Sequence, residues 1–175
     1  MKDMNLFEDV SPTCLDRDRI LNILDEINKQ LVILNKSLQI TIYGGSSLCL
    51  MSNFRDSTYD IDTLSNNNEL LTDCINKLGL SSDVVNNDIE VFLTKHEDLY
   101  LYKEYSNLEV YLPTMEYLLA MKIRAARKKD MEDIQNLSRE LGISKISEFK
   151  NIFIKYYSPI QFNNTRIEFI KECFR

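Results

Sequence analysis

The stretch Ile42–Ser65, "IYGGSSLCLMSNFRDSTYDIDTLS", guides the interpretation of the whole chain. A β-favouring run ends at Gly44-Gly45, although the 175 residues include only four glycines. Ser46 and Ser47 then open a short helix, and Arg55 and an Asp-Ile-Asp follow. Glycines allow a phosphate to approach the backbone, and a helix N-terminus favours negative charge. The stretch therefore predicts a phosphate-binding turn, unless it is only a tight turn that binds nothing.

Asp60 and Asp62 lie two residues apart on a predicted strand. Side chains alternate along a strand, so both carboxylates are expected on one face. Two neighbouring carboxylates repel each other unless a cation lies between them or one is protonated. Oxygen ligands of this kind suit Mg²⁺ or Mn²⁺. Alone, the pair is more typical of a polar strand edge than of a metal site, but the preceding glycine turn and Arg55 favour a metal–phosphate site.

Composition excludes several other chemistries. The chain has a single histidine, His96, and four cysteines without a C-x-x-C spacing, which argues against a zinc site or a histidine triad. The net charge of −6 argues against a protein that coats nucleic acid. With neither a long apolar run nor a signal-peptide pattern, we expect a cytoplasmic protein with reduced cysteines that does not enter membranes.

One segment departs from this acidic balance. Met121–Lys129, "MKIRAARKK", contains five basic residues and no acidic one. A local basic face on an acidic protein suits a compact anion such as a nucleotide. The alternative is a solvated helix end, where cations are favoured in any case.

The hydrophobic pattern predicts an α+β protein with a small mixed β-sheet, flanking helices and a helical C-terminal part. Residues 1–113 are expected to form the α/β core, and residues 114–175 helices packed on it. A first helix would begin at Ser11-Pro12 and carry apolar residues to Leu34. Strands are expected at 38–43, 58–64, 88–94, 98–104 and 107–113. Helices are expected at 46–53, 66–80, 114–126, 128–141, 144–157 and 163–174.

Lys122 and Asp130 both fall within apolar stripes of predicted helices. Lys122 shares a face with Leu118 and Leu119, so it is expected to point inwards and to need an anionic partner or a wet cleft. A triphosphate or the aspartate pair would provide one. Asp130 shares a stripe with Ile134 and is also expected to point inwards. The alternative is an internal ion pair between the two helices, for example Arg127 with Asp133, and the pattern favours it more for those two residues than for Lys122 and Asp130.

The motif "GGSSLCLMSNFRDSTYDID" resembles the signature of the DNA polymerase β-like nucleotidyltransferase superfamily, in which a glycine step precedes an arginine and Asp-Ile-Asp. It is similar to minimal bacterial members that include AbiEii-type toxins. "YLPTMEYLLAMKIRAARKKDMEDIQNL" resembles the second part of that pattern. The resemblance covers about Ile40 to Leu141 and implies a nucleotidyltransferase core.

The resemblance also implies roles for individual residues. Asp60 and Asp62 would hold Mg²⁺ or Mn²⁺ on a nucleoside triphosphate, and an acceptor hydroxyl would attack the α-phosphorus. The phosphate ligands would be Gly44, Gly45, Ser46, Arg55, Lys122 and Arg127. A third metal-binding carboxylate would come from Glu109, or from Glu90. Glu109 or Asp130 would accept the hydroxyl proton.

The acceptor would be a tRNA end, as in toxin relatives, or a protein hydroxyl. An active enzyme would act as the toxin of a toxin–antitoxin or phage-defence pair. The alternative is a weakly active or inactive nucleotide-binding relative that regulates a partner protein or serves as an antitoxin. A cognate partner protein is expected in either case.

Overall fold

The computed structural model describes residues 14–51, 55–87 and 89–175. Within these ranges the chain forms seven α-helices and seven β-strands, so the predicted α+β class is confirmed. The helices are α1 (Arg17–Leu34), α2 (Gly44–Met51), α3 (Asn68–Lys77), α4 (Met115–Ala125), α5 (Met131–Leu141), α6 (Ile146–Tyr156) and α7 (Asn164–Cys173). The strands are β1 (Leu15–Asp16), β2 (Leu38–Tyr43), β3 (Ser57–Thr58), β4 (Ile61–Ser65), β5 (Val85–Asn86), β6 (Leu99–Glu104) and β7 (Leu108–Pro113).

Five strands form a mixed sheet in the order β5-β4-β2-β7-β6, and β1 and β3 form a separate antiparallel pair. The central strand β2 runs antiparallel to β4 and parallel to β7. Apolar side chains alternate along β2, where Leu38, Ile40 and Ile42 are buried on one face. The opposite face of the sheet carries Asp62 of β4, which therefore lies outside this core.

The chain divides into two units. The first comprises residues up to 88 together with 101–112, and the second comprises 89–100 together with 113–175. The sequence placed the whole of 89–100 in the core, whereas the structure groups it with the C-terminal helices. One reason is that Tyr157 donates a hydrogen bond to the Phe92 carbonyl at 2.6 Å, and Tyr156 donates one to Asp98 at 3.0 Å.

Two local predictions are corrected in these segments. The helix predicted from Ser11-Pro12 begins instead at Arg17, where the Asp16 side chain caps it by accepting from the Arg19 N–H at 2.8 Å. Ser11 and Pro12 themselves lie outside the described residues. The strand predicted at 88–94 is replaced by a 3₁₀ turn at Glu90–Phe92, in which Val91 is 79% exposed. The apolar pattern of this run therefore reflects no buried strand face.

In the first unit, α1 packs its apolar face against the core. Its buried residues are Ile20, Ile23, Leu24, Ile27 and Leu31, in agreement with the predicted helical spacing. They join the buried residues of β2, β4 and β7 in one hydrophobic cluster. Burial of such side chains contributes about 1.5–3 kcal/mol each, so this helix and the sheet stabilise one another.

In the second unit, α4 is the central helix. Each residue from Tyr117 to Ile123 is buried, and α4 packs against α5, α6 and α7. The sequence predicted a single buried stripe on this helix, but neighbours on several sides bury its whole circumference. Lys122 is consequently inside the unit, as predicted.

Within the described ranges, every helix is too short or too polar to cross a membrane. The four cysteines all lie in these ranges and are free thiols. Cys49, Cys74 and Cys173 are buried, and Cys14 is exposed.

Candidate functional site

Gly44 stands where β2 ends and α2 begins. It has a φ of +63°, a left-handed conformation that strongly favours glycine. A Cβ atom at this position would lie 2.5 Å from Oδ2 of Asp62, closer than any two such atoms pack. The absent side chain thus lets the Asp62 carboxylate reach the backbone of the turn.

Gly45 is enclosed in a similar way by two other side chains. A Cβ here would lie 2.8 Å from Oγ1 of Thr58 and 2.9 Å from Nη2 of Arg55. Arg55 is oriented partly by a hydrogen bond from its Nε to the Ser57 carbonyl, 3.2 Å long. The fold therefore brings Arg55, Thr58 and Asp62 to two adjacent glycines.

The structure places Asp62 on β4, opposite Tyr43 of β2 and Asn86 of β5. Ile61 and Thr63 on either side of it are buried, whereas Asp62 is half-buried. Asp60 immediately precedes the strand and is also half-buried. Both carboxylates therefore remain accessible from solvent, which is a condition for ligand binding.

Two carboxylates fit Mg²⁺ or Mn²⁺ provided that water and substrate oxygens complete the shell. In the part of the chain that the structure describes, no group of three or more His, Cys, Asp or Glu side chains could hold a metal ion. The donor chemistry of Asp60 and Asp62 thus suits an ion that arrives with a phosphate ligand. It does not suit a closed site made of protein side chains alone.

The two serines after the glycines are used within the turn. Ser46 is 1% exposed and donates from its hydroxyl to the Tyr43 carbonyl at 2.8 Å. Ser47 is buried and donates in the same way to the Gly44 carbonyl at 2.8 Å. Because both protons are engaged, these hydroxyls stabilise the strand-to-helix turn. The backbone N–H groups of the first turn of α2 are then the donors best suited to a phosphate.

The predicted third carboxylate, Glu109, lies elsewhere on the sheet. It pairs with Gln39 of β2, whereas Asp62 pairs with Tyr43, four residues further along the same strand. Four strand residues span about 13 Å, and Mg²⁺ binds oxygen at about 2.1 Å. The structure therefore does not bring Glu109 to Asp62. Glu109 instead accepts hydrogen bonds from Gln39 Nε2 at 2.6 Å and from the Tyr111 hydroxyl at 3.0 Å.

The alternative ligand, Glu90, belongs to the second unit, where it begins the 3₁₀ turn Glu90–Phe92 and is exposed. It does not occupy the strand position on which its prediction as a metal ligand rested.

Lys122, Asp130 and Asp133 form a buried ion cluster within the second unit. Lys122 Nζ lies 2.8 Å from Asp130 Oδ1 and 2.7 Å from Asp133 Oδ2, and all three residues are at most 6% exposed. Arg127 Nε contacts the other oxygen of Asp130 at 3.1 Å. The sequence suggested Arg127 with Asp133 as an internal ion pair. An internal ion cluster is present, but in it Lys122 contacts both aspartates and Arg127 contacts Asp130.

These cations also determine the charge state of Asp130. Burial alone would raise the pKa of its carboxyl group, but Lys122 and Arg127 beside it more than offset burial and hold that pKa below its ordinary value. Lys122 already has two anionic partners, so it has no need of a nucleotide to compensate its buried charge.

Thr58 is a site residue that no motif in the sequence singled out. It is 3% exposed, lies in β3 and contacts Gly45. Its signal in the sequence was its position between Arg55 and Asp60, the two residues that had been assigned roles.

A glycine turn that holds an arginine and a strand aspartate, on a small mixed sheet, is typical of nucleotidyltransferase-like proteins. Residues 18–169 match the family described as nucleotidyltransferase of unknown function (DUF6036), and the chain belongs to this family. The resemblance seen in the sequence is therefore confirmed at the level of the nucleotidyltransferase-like family. No curated protein and no solved structure matches the chain.

Proposed function

We propose that this protein is a metal-dependent nucleotidyltransferase that moves a nucleoside monophosphate from a nucleoside triphosphate to a hydroxyl group of an RNA or a protein. The observation that carries the proposal is the approach of Asp62 and Arg55 to the backbone of Gly44 and Gly45. Membership of a family described as nucleotidyltransferases supports it.

In this proposal, Asp60 and Asp62 would hold Mg²⁺ or Mn²⁺, which would neutralise triphosphate charge. The backbone at Gly44 and Gly45 and the guanidinium of Arg55 bind phosphate oxygens. An acceptor hydroxyl then forms a bond to the α-phosphorus, the bond between the α-phosphorus and its bridging oxygen breaks, and pyrophosphate leaves. The hydroxyl proton is lost to water.

Other residues take supporting roles in the proposal. Ser46 shapes the turn through its bond to Tyr43. Asp130 is saturated by Lys122 and Arg127, which makes it a poor proton acceptor. We assign Lys122 and Asp130 to the stability of the second unit, and Glu109 to its hydrogen-bonded pair with Gln39.

The biological role proposed is that of a toxin similar to the AbiEii type, with tRNA as one candidate acceptor and a cognate antitoxin as partner. The sequence resemblance to AbiEii-type toxins motivates this role. Labelling of tRNA when total RNA is supplied would support it, and labelling of protein alone would contradict the tRNA assignment.

The test is transfer of label from each α-labelled nucleoside triphosphate to total RNA and to cell extract, with Mg²⁺ or Mn²⁺. The wild type is compared with Asp60→Asn and Asp62→Asn, and with Asp56→Asn as a matched control because Asp56 is exposed in the same segment. We expect transfer to fall at least a hundredfold in the first two variants and to persist in the control. Undiminished transfer in Asp60→Asn and Asp62→Asn would contradict the proposal.

A second function is favoured by one observation, the absence of a three-residue metal-ligand group among the described residues. A nucleotide-binding relative that regulates a partner protein would need only the two aspartates, Arg55 and the glycine turn. It would bind a nucleoside triphosphate at equilibrium in an Arg55-dependent manner and transfer nothing. Binding together with transfer would exclude this alternative.

A further inference from the structure

The second unit contains a group of basic and aromatic residues to which the proposed function assigns no role. Residues 113–175 include twelve Lys and Arg against eight Asp and Glu, although the whole chain has a net charge of −6. The basic residues concentrate at the end of α4 and just beyond it, at Arg124, Arg127, Lys128 and Lys129. Such a local excess attracts anions.

The fold adds a further arginine from α7 to this end of α4. Arg166 Nη2 donates to the backbone carbonyl of Arg124 at 3.0 Å, which satisfies one of the unpaired carbonyls at the helix C-terminus. One guanidinium is sufficient for that purpose. Burial and the positive charge of Arg124 both lower the pKa of the Arg166 guanidinium, which lies against the Arg124 backbone. The repulsion between these like charges costs free energy.

Within the described residues, neither arginine has a carboxylate to offset this repulsion. Among the residues that the structure describes, no ion pair involves Arg124 or Arg166. The nearby Asp130 and Asp133 are occupied by Lys122. In the same described part, the Nε atom of Arg166 is buried without a hydrogen-bond partner, so this guanidinium keeps unused donor capacity.

Aromatic rings lie within the same group. The guanidinium of Arg127 lies over the ring of Phe92, 5.5 Å from its centre. The Tyr157 hydroxyl bonds to the Phe92 carbonyl at 2.6 Å. Burial raises the pKa of Tyr157, and the charge of Arg124 opposes that rise. Arginines arranged beside aromatic rings are a frequent solution for binding phosphate groups and bases.

We propose that Arg124 and Arg166, with Lys128 and Lys129 beside them, form a phosphate-binding site in the second unit. This site is distinct from the glycine turn of the first unit and does not depend on the proposed transfer reaction. Its ligand is a phosphate group, supplied either by the backbone of an RNA strand or by a free nucleotide. A phosphate between the two guanidinium groups would accept hydrogen bonds from both and would replace their repulsion by attraction.

The test is equilibrium binding to the full chain in a chelator, without substrate for transfer. Fluorescence anisotropy follows a labelled single-stranded RNA oligomer of mixed sequence, and calorimetry follows ATP and pyrophosphate. We compare the wild type with Arg124→Gln, Lys128→Gln/Lys129→Gln and Arg124→Gln/Arg166→Gln. Because Arg166 also caps α4 through the backbone carbonyl of Arg124, Arg124→Gln is the variant that removes one guanidinium and leaves this capping contact in place. The matched control is Lys36→Gln/Lys150→Gln, which removes two exposed charges elsewhere.

We expect Arg124→Gln to weaken binding of the phosphate ligand about tenfold or more, and the control to change it less than twofold. If the ligand is an RNA strand, the slope of log affinity against log salt should fall by about 0.7 for each phosphate contact removed. If only ATP or pyrophosphate binding weakens, the site holds free nucleotide phosphate.

The proposal would be overturned if Arg124→Gln and the double arginine variant bound all of these ligands as tightly as the wild type does. The outcome is separable from that of the transfer assay, since a site can bind phosphate in a chain that transfers nothing. Equally, transfer that needs Asp62 would stand even if Arg124 proved irrelevant to binding.

Discussion

The two units of the chain use charged residues in opposite ways. In the first unit, which has sixteen Asp and Glu against eight Lys and Arg, Asp60 and Asp62 remain half-buried and accessible beside a glycine turn. In the second, Lys122 and its two aspartates are buried and, together with Arg127, offset one another's charge. Charged residues that look alike in a motif can therefore serve a ligand in one place and the fold in another.

The buried cluster of the second unit should give the largest effect on stability. Lys122→Met removes the buried cation that contacts both Asp130 and Asp133 and leaves Asp130 with Arg127, so we expect the free energy of unfolding to fall by about 3–5 kcal/mol. Urea denaturation followed by circular dichroism measures it. Lys150→Met, at an exposed position of α6, should change stability by no more than about 0.5 kcal/mol.

The triple variant Lys122→Met/Asp130→Asn/Asp133→Asn sharpens this result. It removes the two aspartate charges that Lys122 offsets together with the lysine itself, so it should regain part of the stability that Lys122→Met loses. If the free energy of unfolding fell by less than about 1 kcal/mol in Lys122→Met alone, the buried ion cluster would contribute little to the stability of the second unit.

The glycine turn of the first unit should give the next largest effect. Gly44 and Gly79 have nearly the same φ, +63° and +68°, but a Cβ at Gly44 would meet Asp62 whereas nothing lies within 4 Å of one at Gly79. Alanine at either position is strained by about 1–2 kcal/mol. We expect the free energy of unfolding, measured by urea denaturation, to fall by about 1–3 kcal/mol more in Gly44→Ala than in Gly79→Ala, because the new methyl group displaces the Asp62 carboxylate. Equal losses would mean that Asp62 does not approach the turn.

Much of this site could be predicted from local sequence. The strand that ends at Tyr43, the helix that follows and the outward position of Asp62 all follow from alternation and from glycine chemistry. The position of Glu109 could not be predicted in the same way. Alternation gives the face on which a side chain lies, but the register of β7 against β2 places Glu109 beside Gln39, four residues from the level of Asp62. That register depends on long-range pairing.

The same limit applies to the second unit. The helical stripe placed Lys122 inside, but only the packing of α4 against α5 shows that Asp130 and Asp133 are the partners. Residues 89–94 carry a strand-like apolar pattern but form no strand, and this segment meets partners distant in sequence: Tyr157 bonds to the Phe92 carbonyl and Tyr156 to the Asp98 side chain. Contacts of this kind override local propensity.

A smaller change in the free energy of unfolding is expected when the pH is lowered. The pKa of Asp130 is lower in the folded chain than its ordinary value of 3.8, so the unfolded state binds a proton at a higher pH than the folded state does. The stability that this carboxylate contributes is therefore complete above the unfolded pKa and is lost as pH falls through the folded pKa. The difference between the free energies of unfolding of the wild type and of Asp130→Asn, measured in urea at several pH values, should become smaller as the solution is acidified. A difference that stays constant with pH would exclude the linkage.

The smallest change in stability is expected where the first unit leaves its charges accessible. In a chelator, Asp60→Asn should alter the free energy of unfolding by no more than about 0.5 kcal/mol, because the side chain is half-buried and remains accessible to water. With Mn²⁺ at ten times its dissociation constant, the wild type should gain roughly 1.4 kcal/mol, and Asp60→Asn/Asp62→Asn should gain nothing. Equal stabilisation of the two proteins would place the ion elsewhere. The aspartates would then be a polar strand edge, and the contrast between an open acidic site and a closed ion cluster would no longer hold.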